Sequence, residues 1–360
     1  MARDNTVTYV KALGIILMVL GHVLSSDMLV RRAILTFHMP LFFLMSGYCF
    51  KEKYLDDAKQ FVMRKIKGIY MPYVLFALPF LALHNVFCHW HLYESTWLYG
   101  CKDFAWNAGR IVTRMSMNEG LLGTFWFLKE LFWGNLIFYA TLKLVKWQLD
   151  IGKWRLGAEW FLTVIELFVL TEIVCIFHLR VPYFGVGQTS LYAAFFIGVG
   201  YLWKKSEWNT NRWWIWVIGI TSVFAEASLI KGTVAIDAQT PMSLIYYAVT
   251  AIFGTMVMFN ISKWLNLCLH GSMQSAMLFI GEHTLSIMAL HFISFKIVTL
   301  GCITVNQLPI ERLEDFPVIR NFAITGCGVL LYMFVGLSVP LVLAWLWCEI
   351  KERINVKIIK

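Results

Sequence analysis

Lys11 and His22 are the first residues of this chain whose types and spacing could do chemistry. Both stand in one apolar run near residues 7–25. Eleven helical steps end about 20° from a whole number of turns, so the two side chains share one helix face, ~16 Å apart along the axis. Ionisable groups inside a span are costly and default to functional roles. An imidazole can take and return a proton near neutral pH, and an ammonium can hold an anion. The bland alternative is a snorkelling lysine and a histidine satisfied across a helix pair; the shared face favours a single polar path. His38 in a second run, Glu130 in a fourth and His291 in a ninth lie at depths comparable to that of His22, so four groups suited to proton transfer are expected in one half of a bilayer. Depth is legible from sequence and azimuth is not, and Glu130 equally suits a pairing with a nearby lysine or arginine.

The elements that must position these groups follow from composition. Of 360 residues, 59% are hydrophobic and 15% charged, against about 25% charged in soluble domains. Apolar runs fall near 7–25, 33–50, 69–88, 124–147, 157–177, 184–203, 213–230, 243–262, 277–300 and 321–348, each of a length able to cross a bilayer as a helix. The expected fold is all-α, a polytopic membrane protein of about ten transmembrane helices in a single membrane-embedded domain over 1–360. The runs are continuous rather than alternating, which excludes an outer-membrane barrel.

The formal charge of +9 is a topology signal rather than a nucleic-acid footprint. Nineteen basic residues fall on the side of the N-terminus and nine on the other, which places both termini in the cytoplasm. The eight cysteines show no metal-binding spacing and read mainly as small hydrophobes. Residues 89–123 and 301–320 are expected as extracytoplasmic loops. Residues 51–70 alternate Tyr54, Leu55, Phe61, Val62, Ile66 and Ile69 with lysines and arginines, the pattern of an amphipathic helix on the inner membrane surface. It suits either an anchor to anionic lipid or a basic platform for an anionic cytosolic substrate.

In order along the chain, Lys11-Ala12-Leu13-Gly14 with Val19-Leu20-Gly21-His22, His38-Met39-Pro40-Leu41-Phe42-Phe43 with Ser46-Gly47, Lys65 through Pro72-Tyr73, Trp126-Phe127-Leu128, and Ile280-Gly281 through Ser286-Ile287 and His291 resemble the landmarks of the type-3 family of integral-membrane acyltransferases, which O-acylate glycans and related acceptors. The likeness covers nearly the whole chain. One departure is Thr8, where many members carry an acid three positions before the basic residue.

The resemblance implies an acyl-CoA donor, most often acetyl-CoA, arriving from the cytosol, with no bound cofactor and no metal. Lys11, Arg64, Lys65 and Lys67 are then the donor-binding residues. His22, His38 and Glu130 are the catalytic ones, with Trp126, Ser286 and His291 in support. His22 acts either as general base towards an acceptor hydroxyl or as a transient acyl carrier. The expected partners are acyl-CoA, a surface or lipid-linked glycan and membrane lipids, and the expected location is a bacterial cytoplasmic membrane. The rival class is a proton-coupled transporter or flippase, which also uses intramembrane histidines and glutamates, although no inverted internal repeat is visible. The charge asymmetry gives a direct test. Single cysteines introduced into 89–123 and 301–320 should react with an impermeant thiol reagent in intact cells, and those in 51–68 or 143–156 should not. Labelling of 51–68 from outside would overturn the orientation.

Overall fold

A computed structural model describes residues 5–151, 159–229, 241–323 and 325–359, and their regular structure is helical throughout. The basic residues Arg3, Lys153, Arg155, Lys231 and Lys360 lie outside them. In chain order the helices are α1 (Thr6–Val23), α2 (Leu29–Leu35), α3 (His38–Tyr48), α4 (Ala58–Lys65), α5 (Met71–Ala82), α6 (His84–His89), α7 (Cys101–Arg114), α8 (Trp126–Ile151), α9 (Glu159–Ile176), α10 (Gln188–Lys205), α11 (Trp213–Leu229), α12 (Pro241–Cys268), α13 (Gly271–Glu282), α14 (Thr284–Asn306), α15 (Arg320–Ala323) and α16 (Gly326–Ile359).

A helix stands at each of the ten apolar runs. Among the described residues, six helical segments are long and apolar enough to cross a membrane: Thr6–Val23, Leu29–Tyr48, Ala58–Ala82, Ser243–Cys268, Thr284–Asn306 and Gly326–Arg353. Helix α11 is apolar but shorter, α9 carries Glu159, Glu166 and Glu172, and α8 and α10 carry lysines. Outward faces of α9 and α16 expose Phe161, Ile165, Val169, Leu330, Phe334 and Trp345. Faces of that kind suit hydrocarbon and not water.

Helix α1 sits centrally, packed by α2, α3, α12, α13, α14 and α16. At Gly281 of α13 the backbone of Thr8 comes so close that a Cβ would strike the Thr8 carbonyl. The glycine of the Ile280-Gly281 landmark is thus there to let α13 lie against the start of α1. Helix α16 begins beside Ala323 and approaches His283 with Cys348, 3.8 Å from Sγ to Nε2, near its far end. Both ends of the chain therefore lie at the same face of the bundle, called here the N-face.

The segment 51–70 differs from a single surface helix. A 3₁₀ turn (Glu52–Tyr54) precedes α4, which begins where the Asp57 carboxylate accepts from the Gln60 amide at 2.8 Å, a side-chain N-cap. A wide π turn (Ile66–Tyr70) then leads straight into α5. The apolar face points into the protein rather than into lipid. Phe61 stacks on Tyr139 of α8 with ring centroids 4.4 Å apart, Tyr139 donates to the Tyr54 carbonyl at 3.0 Å, and Tyr54, Leu55 and Ile69 are buried. Glu52 fastens the same segment to α10 through Lys205 at 2.6 Å and Tyr201, and these two hydrogen bonds hold its carboxylate below the usual range.

The two long connections also carry helices. Residues 89–123 contain α7 and a 3₁₀ turn (Gly120–Phe125), and α14 runs on to Asn306, inside 301–320. Beneath the first, His84 is fully buried. Its Nε2 donates to the Trp97 carbonyl at 2.7 Å, its Nδ1 shares a proton with Glu119 at 3.0 Å, and its ring lies 3.6 Å from that of Tyr99. This cluster ties the connection down onto α6.

Helices α3 and α10 make the tightest crossing. A Cβ on Gly47 would enter the Ile197 carbonyl, and one on Gly200 would enter that of Leu44. Reciprocal glycines let backbones touch where hydrocarbon offers no hydrophobic drive for association. Gly200→Ala must therefore push α3 away from α10. Overpacking of this kind costs about 1–3 kcal/mol, to be read as a lowered midpoint of thermal unfolding in detergent. An unchanged midpoint would show that the crossing adjusts freely.

Candidate active site

The face of α1 defined by Lys11 and His22 lines a cavity of about 800 Å³. Val7, Lys11, Ile15, Met18 and His22 recur at three- and four-residue intervals along it, a length of about 22 Å. The opposite walls come from His38, Phe42, Met45, Ser46 and Cys49 of α3 and its C-terminal end, and from Trp126, Phe127 and Glu130 of α8. Gly68 and Ile69 of the π turn, together with Thr284 and Met288 of α14, complete them. A π turn widens the helix locally and recurs at functional sites; here it presents backbone and a small residue to the cavity.

Three of the four groups expected at one depth come together. His22 lies within electrostatic range of His291, His38 and Arg31. Its ring centroid is 5.4 Å from that of His291 and 4.8 Å from that of Phe292, with the Phe292 contact edge-to-face. His38 Nδ1 donates to the Ile34 carbonyl at 3.0 Å. His291 Nδ1 is shared between the carbonyls of Ile287 and Met288 at 3.0 and 3.1 Å. A carbonyl only accepts, so these bonds place the proton on Nδ1 of both rings and leave Nε2 as an acceptor when the ring is neutral. His291 Nε2 is buried with no hydrogen-bond partner among the described residues. His38 reaches the cavity, whereas His291 stands behind His22.

Glu130 takes a different position. It lines the cavity, accepts a short hydrogen bond from Ser190 Oγ and lies 3.9 Å from Lys129 Nζ, which in turn donates to the Gly185 carbonyl at 3.1 Å. The expected pairing with a neighbouring lysine is therefore present, and the charges near Glu130 are Lys129 and Arg180 rather than the histidines.

At the N-face end, Cys49 of the cavity wall lies in the field of Lys204, Lys11, Lys65 and Lys51, a group of four lysines. Of the three basic residues of the 64–67 cluster, only Lys65 contributes to it. Arg64 and Lys67 are exposed, with the Arg64 guanidinium 5.3 Å from the Tyr54 ring centroid. Sequence reading missed Lys51 and Lys204, because nothing in the chain order brings the end of α10 beside the end of α3. Trp126 lines the cavity, and Ser286 is half-buried beside it without forming a wall.

Beside the histidine end packs the 310–316 segment. Lys296, buried within α14, donates to the carbonyls of Leu313 and Asp315 at 2.7 and 2.8 Å. That holds Phe316 with its ring centroid 4.7 Å from that of Phe292, one ring removed from His22. Among the described residues no group of three or more His, Cys, Asp or Glu is gathered as a metal site.

The cavity thus runs along one helix from Lys11 to a histidine cluster, inside a bundle of apolar helices. In the comparison with family models, an acyltransferase domain of the type-3 class matches residues 4–346, and the chain belongs to that family. No curated protein and no solved structure matches the chain.

The packing of this segment gives a test. Lys296→Met keeps the bulk of the side chain but leaves two carbonyls without their donor. Amide exchange across 310–318 should accelerate several-fold while that of α14 is unchanged. Unaltered exchange would mean that Phe316 holds the segment without the lysine.

Proposed function

We propose that this chain is an acyl-CoA-dependent O-acyltransferase of a cytoplasmic membrane. On this reading it crosses the bilayer ten times with the N-face in the cytosol, and acetylates a hydroxyl of a surface or lipid-linked glycan at the far side. The observation that carries the reading is the single cavity along α1, with Lys11 towards one end and His22 at the other. A donor whose anionic head stays among Lys11, Lys51, Lys65 and Lys204 can extend its thioester arm past Ile15 and Met18 to His22. Family membership favours acyl transfer over transport.

In the proposed reaction, a ring nitrogen of His22 takes the proton of the acceptor hydroxyl as its oxygen attacks the thioester carbonyl. The tetrahedral intermediate collapses by breaking the carbon–sulfur bond, and the departing thiolate receives the proton. The ester and free CoA remain, and His22 is regenerated. His291 is a positioning residue: its unpartnered Nε2 can accept from His22 and fix which nitrogen faces the acceptor, as the second residue of a catalytic pair commonly does. Glu130, paired with Ser190 and Lys129, shapes the α8 wall.

Losing a general base typically costs about 10²–10⁴-fold in rate. Purified His22→Ala protein should therefore consume labelled acetyl-CoA at a rate reduced by that factor while retaining donor binding, with membrane content measured alongside. His291→Gln should lower kcat with little change in the KM for donor. Replacing Lys65 and Lys204 together by Gln should do the reverse, raising the donor KM and leaving kcat nearly unchanged. Wild-type turnover in correctly inserted His22→Ala protein would remove the reading.

A further inference from the structure

The His22 end of the cavity continues into a second, smaller space. A narrow pocket beyond the ring is bounded by His22, Ser25, Ser26, Arg31, Pro317 and Arg320. A third, of about 210 Å³, adjoins it through Val318 and Arg320 and is shared with Arg312, Asp315 and Asn321. His22 and Arg31 belong to both the large cavity and the narrow pocket, so the spaces adjoin at the imidazole, with Arg31 and Arg320 on the wall of the narrow one.

The charges on this wall are unbalanced. Arg31 Nε donates to the Gly21 carbonyl at 2.8 Å, which fixes the guanidinium beside His22. Among the described residues no carboxylate forms an ion pair with Arg31 or Arg320. The two arginines lie within electrostatic range of each other, an arrangement of like charges that costs free energy unless an anion sits between them. The acids nearby are otherwise engaged or distant from the imidazole. Asp315 is bonded by Arg312 at 2.7 Å, and Asp27, fully exposed, accepts from Ser25 and lies in the field of Arg32 and Arg320. Guanidinium groups match carboxylate and phosphate with paired hydrogen bonds.

We infer that Arg31 and Arg320 form an anion subsite on the acceptor side of His22, so that the preferred acceptor carries a carboxylate or phosphate next to the hydroxyl that is acylated. The inference deepens the acyltransferase reading and rests on it for the word acceptor. The two sources of the anion are a sugar acid and the phosphate of a lipid-linked carrier.

Protection of His22 from carbethoxylation by diethyl pyrocarbonate tests the subsite without acyl-CoA. The protein, in nanodiscs of neutral lipid, is probed with methyl glucuronide, methyl phosphate and, as the uncharged control, methyl glucoside, and the His22 peptide is read by mass spectrometry. Loss of one charge-assisted contact corresponds to about a tenfold weaker interaction, so a charged probe should protect at roughly tenfold lower concentration than methyl glucoside. That advantage should vanish in Arg31→Gln and in Arg320→Gln. Arg320 is exposed, so its variant keeps the fold even where Arg31→Gln, which changes the contact to Gly21, does not. Protection by the glucuronide alone identifies a sugar acid, and by the phosphate alone a phosphorylated carrier. Equal protection by all three probes in the wild type, or an advantage that survives in Arg320→Gln, overturns the subsite. Failure of acetyl-CoA consumption with unaltered protection would instead overturn the acyltransferase reading and leave the anion site standing.

Discussion

An ammonium and an imidazole on one face of an apolar helix cannot be left facing hydrocarbon, and that constraint organises the bundle. A charged group at the centre of a bilayer is tolerated where it lines a cavity or meets polar partners. Helix α1 is therefore surrounded rather than placed at the rim, and the stripe from Lys11 to His22 looks onto a space between helices. Holding that space open requires neighbours that approach tightly elsewhere. The backbone contact of Gly281 with Thr8, and the reciprocal contacts of Gly47 and Gly200, supply close packing on either side of the cavity. A packed interior is not continuously deformable, so these contacts fix where the cavity walls stand.

The same constraint explains the backbone bonds of the histidines. His291 gives Nδ1 to a carbonyl one turn back in α14, and His38 gives Nδ1 to the Ile34 carbonyl at the end of α2, which satisfies each donor within four residues of chain. It also leaves each neutral ring with a single defined acceptor nitrogen. Protonation-state specificity thus comes from helix geometry itself, at no cost in additional polar side chains.

How much of this was legible in sequence depends on which coordinate a residue's position required. Spacing along one helix was legible: Lys11 and His22 share a face as their eleven-step separation demands, and the positions of the helices follow the apolar runs. Depth was legible for His38 and His291, which join His22. Azimuth was not, so Glu130, at a similar depth, stands on a separate wall with Ser190 and Lys129. The basic segment shows the same limit. Lys65 joins the lysines near Cys49, while Arg64, on α4, and Lys67, in the π turn, are exposed. Lys204, from more than a hundred residues further on, takes a place there through the α3–α10 crossing. The π turn at Ile66–Tyr70 has no compositional signal, since it differs from an α-helix by one hydrogen-bond step.

The placement of His22 at a junction bears on how a bilayer enzyme handles substrates that meet from opposite sides. On the acyltransferase reading, neither the nucleotide head of the donor nor the acceptor needs to cross; only the acyl group passes the imidazole. That economy holds only if the two spaces differ in what they admit. The large cavity is walled along its middle by Ile15, Met18, Phe42 and Phe127, which suits an extended arm of low polarity and excludes water that would hydrolyse a thioester. The small pocket adds Ser25, Ser26, Arg31 and Arg320 to its apolar wall, polar groups that a hydroxyl-bearing acceptor could meet. Phe292 packs against the His22 ring, and Phe316, on the segment held by Lys296, packs on Phe292 behind the junction. A wider junction would let water through, and a narrower one would keep the hydroxyl from the thioester. On the acyltransferase reading, the buried lysine of α14 would bear on the chemistry without touching either substrate, by fixing the 310–316 segment beside the histidines.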